Sequence, residues 1–521
     1  MDTNTNRYFR QSGLFRLMNY GLGLMLLSCL ALSLSSCSDF LDQDSDRVIF
    51  SDKDHLENAD DTLYSVIGVV SKMQQLADRT VLLGEMRGDL VDVNTNTSAD
   101  IRNLALFNIN DSNAYNSPAE YYAVINNCNY FIAHADTAMR NSRNERIFLK
   151  EYAAMKSFRA WAYLQLALNY GSVPFVTDYI DNRTESLRQD YPRKGIQEIC
   201  DYFLDDLKGL EQVESPNYGS VGGYDSRLFF IPIYFLEGEL NLWGGHYRDA
   251  ALCYYKYIST RNGSNSEYPI SDNSDKWMDV SGSMWMSSYH QWSSTCFGAT
   301  AYNYSATGET MTMIPSETNA ASAGYCHLQS LYNADYTNNY KASQAIYDLS
   351  AAQDYCQLTS SGNVVYAPKG LDDNRTGDLR LSGVYQKHVV FSDQGRESVI
   401  LMSKYQLGSV YLYRRTMVYL HMAEALNRAG FPRFAFQILK TGINNDVLRD
   451  SIMPYYPTTR LGWKDLIFLP ADISCAPPCN APMRILSASI RMAAVGQSST
   501  TITSTPQLRQ PWRLPTHSIM R

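Results

Sequence analysis

Apolar residues recur at three- and four-residue steps along several long stretches of the chain, the spacing that gathers them on one helix face. From Glu151 to Tyr170 this face consists of Met155, Phe158, Trp161, Ala162 and Leu166. The helix is expected to stop at Gly171, with Pro174 three residues further on. Glycine accepts the left-handed turn that ends a helix, and proline cannot continue one. The same pattern predicts helices over 119–135 and 196–210.

Two segments read as helix pairs. In 228–258, Gly238 and Ala250 are twelve residues apart, Tyr254 follows four later, and Gly244-Gly245 supplies the turn. In 413–443, Tyr413, Met417, Leu420, Ala423 and Leu426 form one face. Gly430-Phe431-Pro432 is the turn there, and Ala435 lies twelve residues after Ala423. Small residues at this offset are where the two backbones of a tetratricopeptide-like unit nearly touch. The pairs are not tandem, so a regular solenoid is not expected.

Between about 262 and 339 the periodicity fades into Ser, Asn, Thr, Gly and aromatic residues, which reads as long loops with short strands. Long structured loops in a helical protein usually carry function. Val389–Phe391 and Val399–Met402, separated by the polar turn Ser392–Gly395, predict a small hairpin. The fold class expected is mainly α: tetratricopeptide-like helix pairs with a loop-rich, irregular binding face and a few short strands.

The amino end has a different character. Arg7, Arg10 and Arg16 precede an uncharged stretch over 17–36 with an apolar core over 22–34. That core is too short and wrongly flanked for a spanning helix and reads as a signal peptide, residues 1–36. It ends in Leu34-Ser35-Ser36-Cys37, which resembles the bacterial lipobox, where the cysteine thiol is acylated and the signal cut just before it. Ser38-Asp39-Phe40-Leu41-Asp42-Gln43-Asp44 then opens an acidic stretch, 37–52, similar to the tether of surface-exported lipoproteins. Cys37 would thus hold the chain in outer-membrane lipid, facing the cell exterior, with no further membrane segment required.

Over all 521 residues there are 45 basic and 53 acidic side chains. Loss of the signal peptide would leave a net charge of about −10, which argues against nucleic acid, since a phosphate binder needs a basic face. Tyrosine is abundant, with 38 residues, and its flat apolar face with a polar edge suits binding surfaces. Beyond Cys29 and Cys37 the cysteines are Cys128, Cys200, Cys253, Cys296, Cys326, Cys356, Cys475 and Cys479. Their spacing specifies no disulfide pairing, and Cys475-x3-Cys479 has no histidine nearby to make a metal site.

Several motifs in order resemble the SusD/RagB family of outer-membrane nutrient-binding lipoproteins. They are the lipobox with Ser38-Asp39-Phe40-Leu41-Asp42, then Glu151–Ala160 with its Arg159-Ala160 step, and the turn Tyr170-Gly171-Ser172-Val173-Pro174. Ile231-Pro232 with Leu242–Tyr247 follows, and then Arg414-Arg415 with Ala423-Glu424-Ala425-Leu426-Asn427-Arg428-Ala429-Gly430. The resemblance spans residues 37 to about 445. It implies a helical scaffold over 53–460, a TonB-dependent SusC-like transporter as partner, and capture of a nutrient, usually an oligosaccharide or polysaccharide, without catalysis. No cofactor or metal is implied.

Sugar capture needs aromatic planes for the C–H faces of pyranose rings and amides or carboxylates for the hydroxyls. The loop-rich stretch offers Trp277, Trp285, Tyr289, Trp292, Tyr302 and Tyr304, interleaved with His290, Gln291 and Asn303. Enzyme signatures are weaker. Asp272, Asp275 and Asp279 read as a solvated loop, Glu424 as an ion-pair partner within a helix, and no Gly-x-Ser-x-Gly elbow, His-Glu-x-x-His helix or phosphate loop is present. A peptide-capturing relative and a lipid-anchored hydrolase are the alternatives.

The segment 461–521 departs from the rest. From Ile473 onward there is no Asp, Glu or Lys, while six of the chain's 18 prolines fall there. This composition fits a segment read in a foreign frame better than a disordered tail, and coding sequence continuing in another frame past the stop is the expected trace of such a shift. Trp285→Ala and Trp292→Ala are each expected to weaken glycan binding in a titration; unchanged affinity in both would remove them from the site.

Overall fold

The computed structural model describes residues 59–88, 91–93, 97–181, 189–261, 310–315, 340–345 and 409–441. It adds Leu328, Asp348 and the strands Tyr355–Leu358, Val364–Ala367, Tyr385–Ser392 and Gly395–Met402. The expected signal peptide, the tether with Cys37, the aromatic residues from Trp277 to Tyr304 and the tail 461–521 lie outside the described residues. Among the described residues, no helix is long and apolar enough to cross a membrane.

The helices are α1 (Ala59–Gln74), α2 (Ala77–Glu85), α3 (Ala99–Ala105), α4 (Ala119–His134), α5 (Leu149–Tyr170) and α6 (Ile196–Asp206), then α7 (Ile233–Gly244), α8 (Tyr247–Arg261), α9 (Arg415–Arg428) and α10 (Pro432–Thr441). α4 packs on α5, α7 on α8 and α9 on α10, and α8 also packs on α9. The described chain is mostly helical, with short two-stranded sheets.

α5 is enclosed more completely than one apolar stripe predicts. Ser157, Arg159 and Gln165, off that stripe, are buried along with Met155, Phe158, Trp161 and Leu166. A buried guanidinium must be paired. Arg159 reaches Asp206 Oδ2 and Asn129 Oδ1, both at 2.9 Å, and Lys156 joins the same carboxylate at 2.8 Å. The Arg159-Ala160 step is therefore a structural tie between α4, α5 and α6. α5 stops at Gly171, whose φ of 76° is left-handed, as the sequence predicts. Val173–Pro174 then pairs with Arg193–Lys194.

Both expected helix pairs form. In α7, a Cβ on Gly238 would lie 2.5 Å from the Tyr254 ring of α8, so only glycine permits this approach. Ala423 and Ala435 are both fully buried in the α9–α10 pair. The two pairs, far apart in sequence, meet at Glu239. Its Oε1 accepts a hydrogen bond from Tyr254 Oη and lies 2.6 Å from Nδ1 of His421 on α9. All three side chains are buried. Burial alone would depress the His421 pKa, but the carboxylates of Glu239 and Glu424 outweigh it and the net shift is upward.

Three boundaries differ from the sequence reading. Tyr413 does not open α9; it belongs to a strand, Val410–Arg414, that pairs antiparallel with Thr310–Ile314, with register shifts on either side of Tyr413. A short apolar run cannot be told from a helix segment by its own periodicity, and here a distant partner decides. The first helix pair begins at Ile233 rather than at Leu228, because Ser226–Phe229 is a 3-10 turn and Pro232 stands just before the first helical residue. The hairpin expected at Val389–Met402 is longer, Tyr385–Ser392 with Gly395–Met402. α1 carries the helical spacing at Val66, Val69, Val70 and Met73, all buried. α2 and α3, nine and seven residues long, are too short to show a period.

Gly238→Ala is expected to destabilise the fold by about 1–3 kcal/mol, because the Tyr254 ring is held by its bond to Glu239 and the overlap outweighs the roughly 1 kcal/mol helix gain of alanine. His421→Leu leaves Glu239 buried without its cation, at a cost of about 3–5 kcal/mol. His421 is raised above its ordinary value of 6.5. Its contribution is therefore complete below that pH and fades as pH climbs through the raised value. Urea unfolding at pH 6 and pH 9 should show the gap between the wild type and His421→Leu narrowing at the higher pH.

Candidate functional site

The segment bearing the expected aromatic candidates leaves α8 at Arg261 and re-enters the described structure at Thr310. Its return is fixed. Strand Thr310–Ile314 is paired along Val410–Arg414, and Thr312 Oγ1 donates to the Phe230 carbonyl at 2.8 Å. Pro315, one residue past that strand, forms part of the wall of a cavity of about 430 Å³.

α1 lines this cavity through Val66, Ile67, Val70 and Gln74, and Tyr218 and Tyr224 line it as well. The tyrosines are set by a hairpin, Ser220–Val221 with Tyr224–Asp225. Its two loop residues, Gly222 and Gly223, have φ of 60° and 88°, the positive values that a tight hairpin turn requires at both positions. The turn is secured beneath, where Ser226 Oγ accepts from the Tyr218 amide at 2.8 Å.

Polar atoms are few and already oriented. Tyr218 Oη donates to Glu151 Oε1 at 3.1 Å, Ser409 Oγ donates to Tyr224 Oη at 3.2 Å, and Gln74 Nε2 donates to the Pro315 carbonyl at 2.7 Å. Burial pushes the Glu151 carboxyl above its usual range, against the pull of hydrogen bonds to its own backbone and to Tyr218. Apolar walls with two phenols and an amide suit a ligand that has flat C–H faces and hydroxyl edges, and the volume falls in the range of small-ligand pockets, about 300–1,000 Å³.

A second aromatic group lies at the carboxyl end of α4. Tyr130 stacks on His134 at 4.2 Å, and the half-exposed Tyr179 packs edge-on to Tyr130 at 5.4 Å. The rings use much of their area on one another, which leaves less for a ligand.

Several other titratable groups among the described residues are buried or ion-paired. Glu237 is buried on α7, and burial, with Glu211 adding, pushes its pKa up to about 8. Cys128, Cys200 and Cys253 are free buried thiols, each pushed up to about 12 chiefly by burial, which makes them poor nucleophiles. Glu424 forms the ion pair expected within its helix, with Arg428 at 2.7 Å. No group of three His, Cys, Asp or Glu among the described residues could hold a metal ion.

None of the six aromatic candidates, nor Cys37, can be placed, since all lie outside the described residues. Tyr218 and Tyr224 escaped the sequence reading, although Gly222-Gly223 between Val221 and Tyr224 is a hairpin signal that would have located them.

No family model matches the chain, and no curated protein matches it in sequence. Solved structures do match. A SusD-like protein of Bacteroides fragilis is similar with a TM-score of 0.54 at 14% identity, over 86% of this chain and 86% of that one. A Bacteroides vulgatus protein classed as sugar-binding gives 0.51 at 16% identity, over 77% of this chain and 82% of that one. A SusD-superfamily protein of Bacteroides fragilis gives 0.50 at 14% identity, over 86% and 89%. The chain has the fold of the SusD-like proteins.

Proposed function

We propose that this protein captures a glycan nutrient at the cell surface, without catalysis, and delivers it to a TonB-dependent SusC-like transporter in the outer membrane. The observation that carries the reading is the match to SusD-like structures over most of both chains. The classing of one structural relative as a sugar-binding protein supports it. So does the lipobox-like Leu34-Ser35-Ser36-Cys37 with its acidic sequel, which would place the chain on the outer membrane, facing outward, through lipid on Cys37.

The physical work of such a protein is modest. A rigid helical frame presents rings and amides that match one face and one edge of a sugar. Affinity must stay weak enough for hand-over: at a Kd of about 100 μM and an association rate of about 10⁶ M⁻¹s⁻¹, the ligand leaves at about 100 s⁻¹. The net charge of −8 opposes polyanions, so neutral glycans are the expected class.

Affinity electrophoresis of the detergent-extracted lipoprotein against starch, xyloglucan, galactomannan, mixed-linkage β-glucan and arabinoxylan should retard it with at least one of them, with no release of reducing ends. Retardation by none, or release of sugar, would overturn the reading. Cys37→Ser should abolish labelling with radioactive palmitate and move the protein out of the membrane fraction.

A further inference from the structure

The cavity lined by α1 and the 220–225 hairpin combines buried apolar residues with exposed ones. Val66, Val70, Phe229 and Phe230 are buried and make its floor. Ile67 is 42% exposed, Ser71 and Gly222 are exposed too, and these three make its rim. A guest can therefore bury one part of itself against the floor and leave another part in water.

Four polar side chains of the lining are bonded within the protein. Gln74 donates to the Pro315 carbonyl at 2.7 Å, Tyr218 donates to Glu151 at 3.1 Å, Tyr224 accepts from Ser409 at 3.2 Å, and Ser226 accepts from the Tyr218 amide at 2.8 Å. They hold the cavity in shape before any ligand arrives, which lowers the ordering cost of binding. They also keep few bonds for a guest. A pyranose ring carries several hydroxyls on its edge, and each one buried without a partner weakens binding. The floor is thus a poor place for a bare sugar ring. An aromatic ester fits it better. Such a group has two flat apolar faces, an ester carbonyl and at most a phenolic hydroxyl and a methoxy group. Its apolar area gains by leaving water, and the aromatic rings of the lining favour a second ring set edge-on or offset.

We infer that this cavity takes an aromatic ester substituent of a neutral glycan, of the hydroxycinnamoyl class, while the sugar that bears it stays at the rim. The volume of about 430 Å³ lies within the range of small-ligand pockets. The inference rests on the glycan-capture reading and gives that reading a substrate class: glycans decorated with aryl esters, recognised by the decoration as well as by the sugar.

The test titrates the full chain with feruloylated arabinoxylan oligosaccharides and with the same oligosaccharides after mild alkaline removal of the ester. The esterified form should bind about tenfold tighter or more. Methyl ferulate alone should bind with a Kd below about 1 mM and compete with the esterified form. Val70→Trp, which fills the floor, should bring the two oligosaccharides to within about twofold of each other. Ile67→Trp narrows the entrance from an exposed position where the fold is not at stake, and it should reduce the preference in the same direction. No gain from the ester in the wild type overturns the inference, and so does a preference that survives both substitutions, since the substituent then binds elsewhere. Glycan capture itself stands or falls separately, on retardation by the five polysaccharides.

Discussion

The scaffold turns on one buried carboxylate. Glu239 of α7 is held by Tyr254 of α8 and faces His421 of α9, each at 2.6 Å. A lone carboxylate in that place would cost several kcal/mol, so the three helices must arrive together for any of them to be stable there. Gly238, one residue before, lets α8 come close enough for the tyrosine to reach. The helix pair and its link to the second pair are thus settled by two adjacent positions on one helix.

A similar tie organises the other half of the described chain. Arg159 is buried in α5, and its guanidinium draws Asp206 from α6 and Asn129 from α4 onto one point. Each buried charge has its partner on a different helix, so these contacts fix relative position more than they add stability, and a rigid frame is what a binding surface on loops requires. The irregular parts hang from this frame. The strand at Thr310–Ile314 is joined to Val410–Arg414 and to Phe230, and the cavity by Tyr218 and Tyr224 forms where that strand ends.

Much of this was open to inspection in the residues themselves. The periodic apolar faces located α4, α5, α6 and both helix pairs, because a helix that buries one side must repeat every three or four residues whatever it packs against. Gly171, Gly245 and Gly430 ended helices where expected, since positive φ is a local demand. The small residues of this segment pointed to a close approach of the two helices, which the structure places between Gly238 and the Tyr254 ring. The motifs around Arg159 and Ala423 pointed to the SusD-like fold that the structures bear out.

What the residues by themselves could not decide was everything that depends on a partner far along the chain. Tyr413 carries the same apolar signal in a strand as in a helix, and its pairing with Thr312 made it a strand. His421 and Glu239 are ordinary polar positions until folding brings them within 2.6 Å and burial makes their charges matter. Composition and spacing act within a turn or two of the chain, whereas burial, charge pairing and strain arise from contacts between segments far apart in sequence, and those contacts exist only in the tertiary structure.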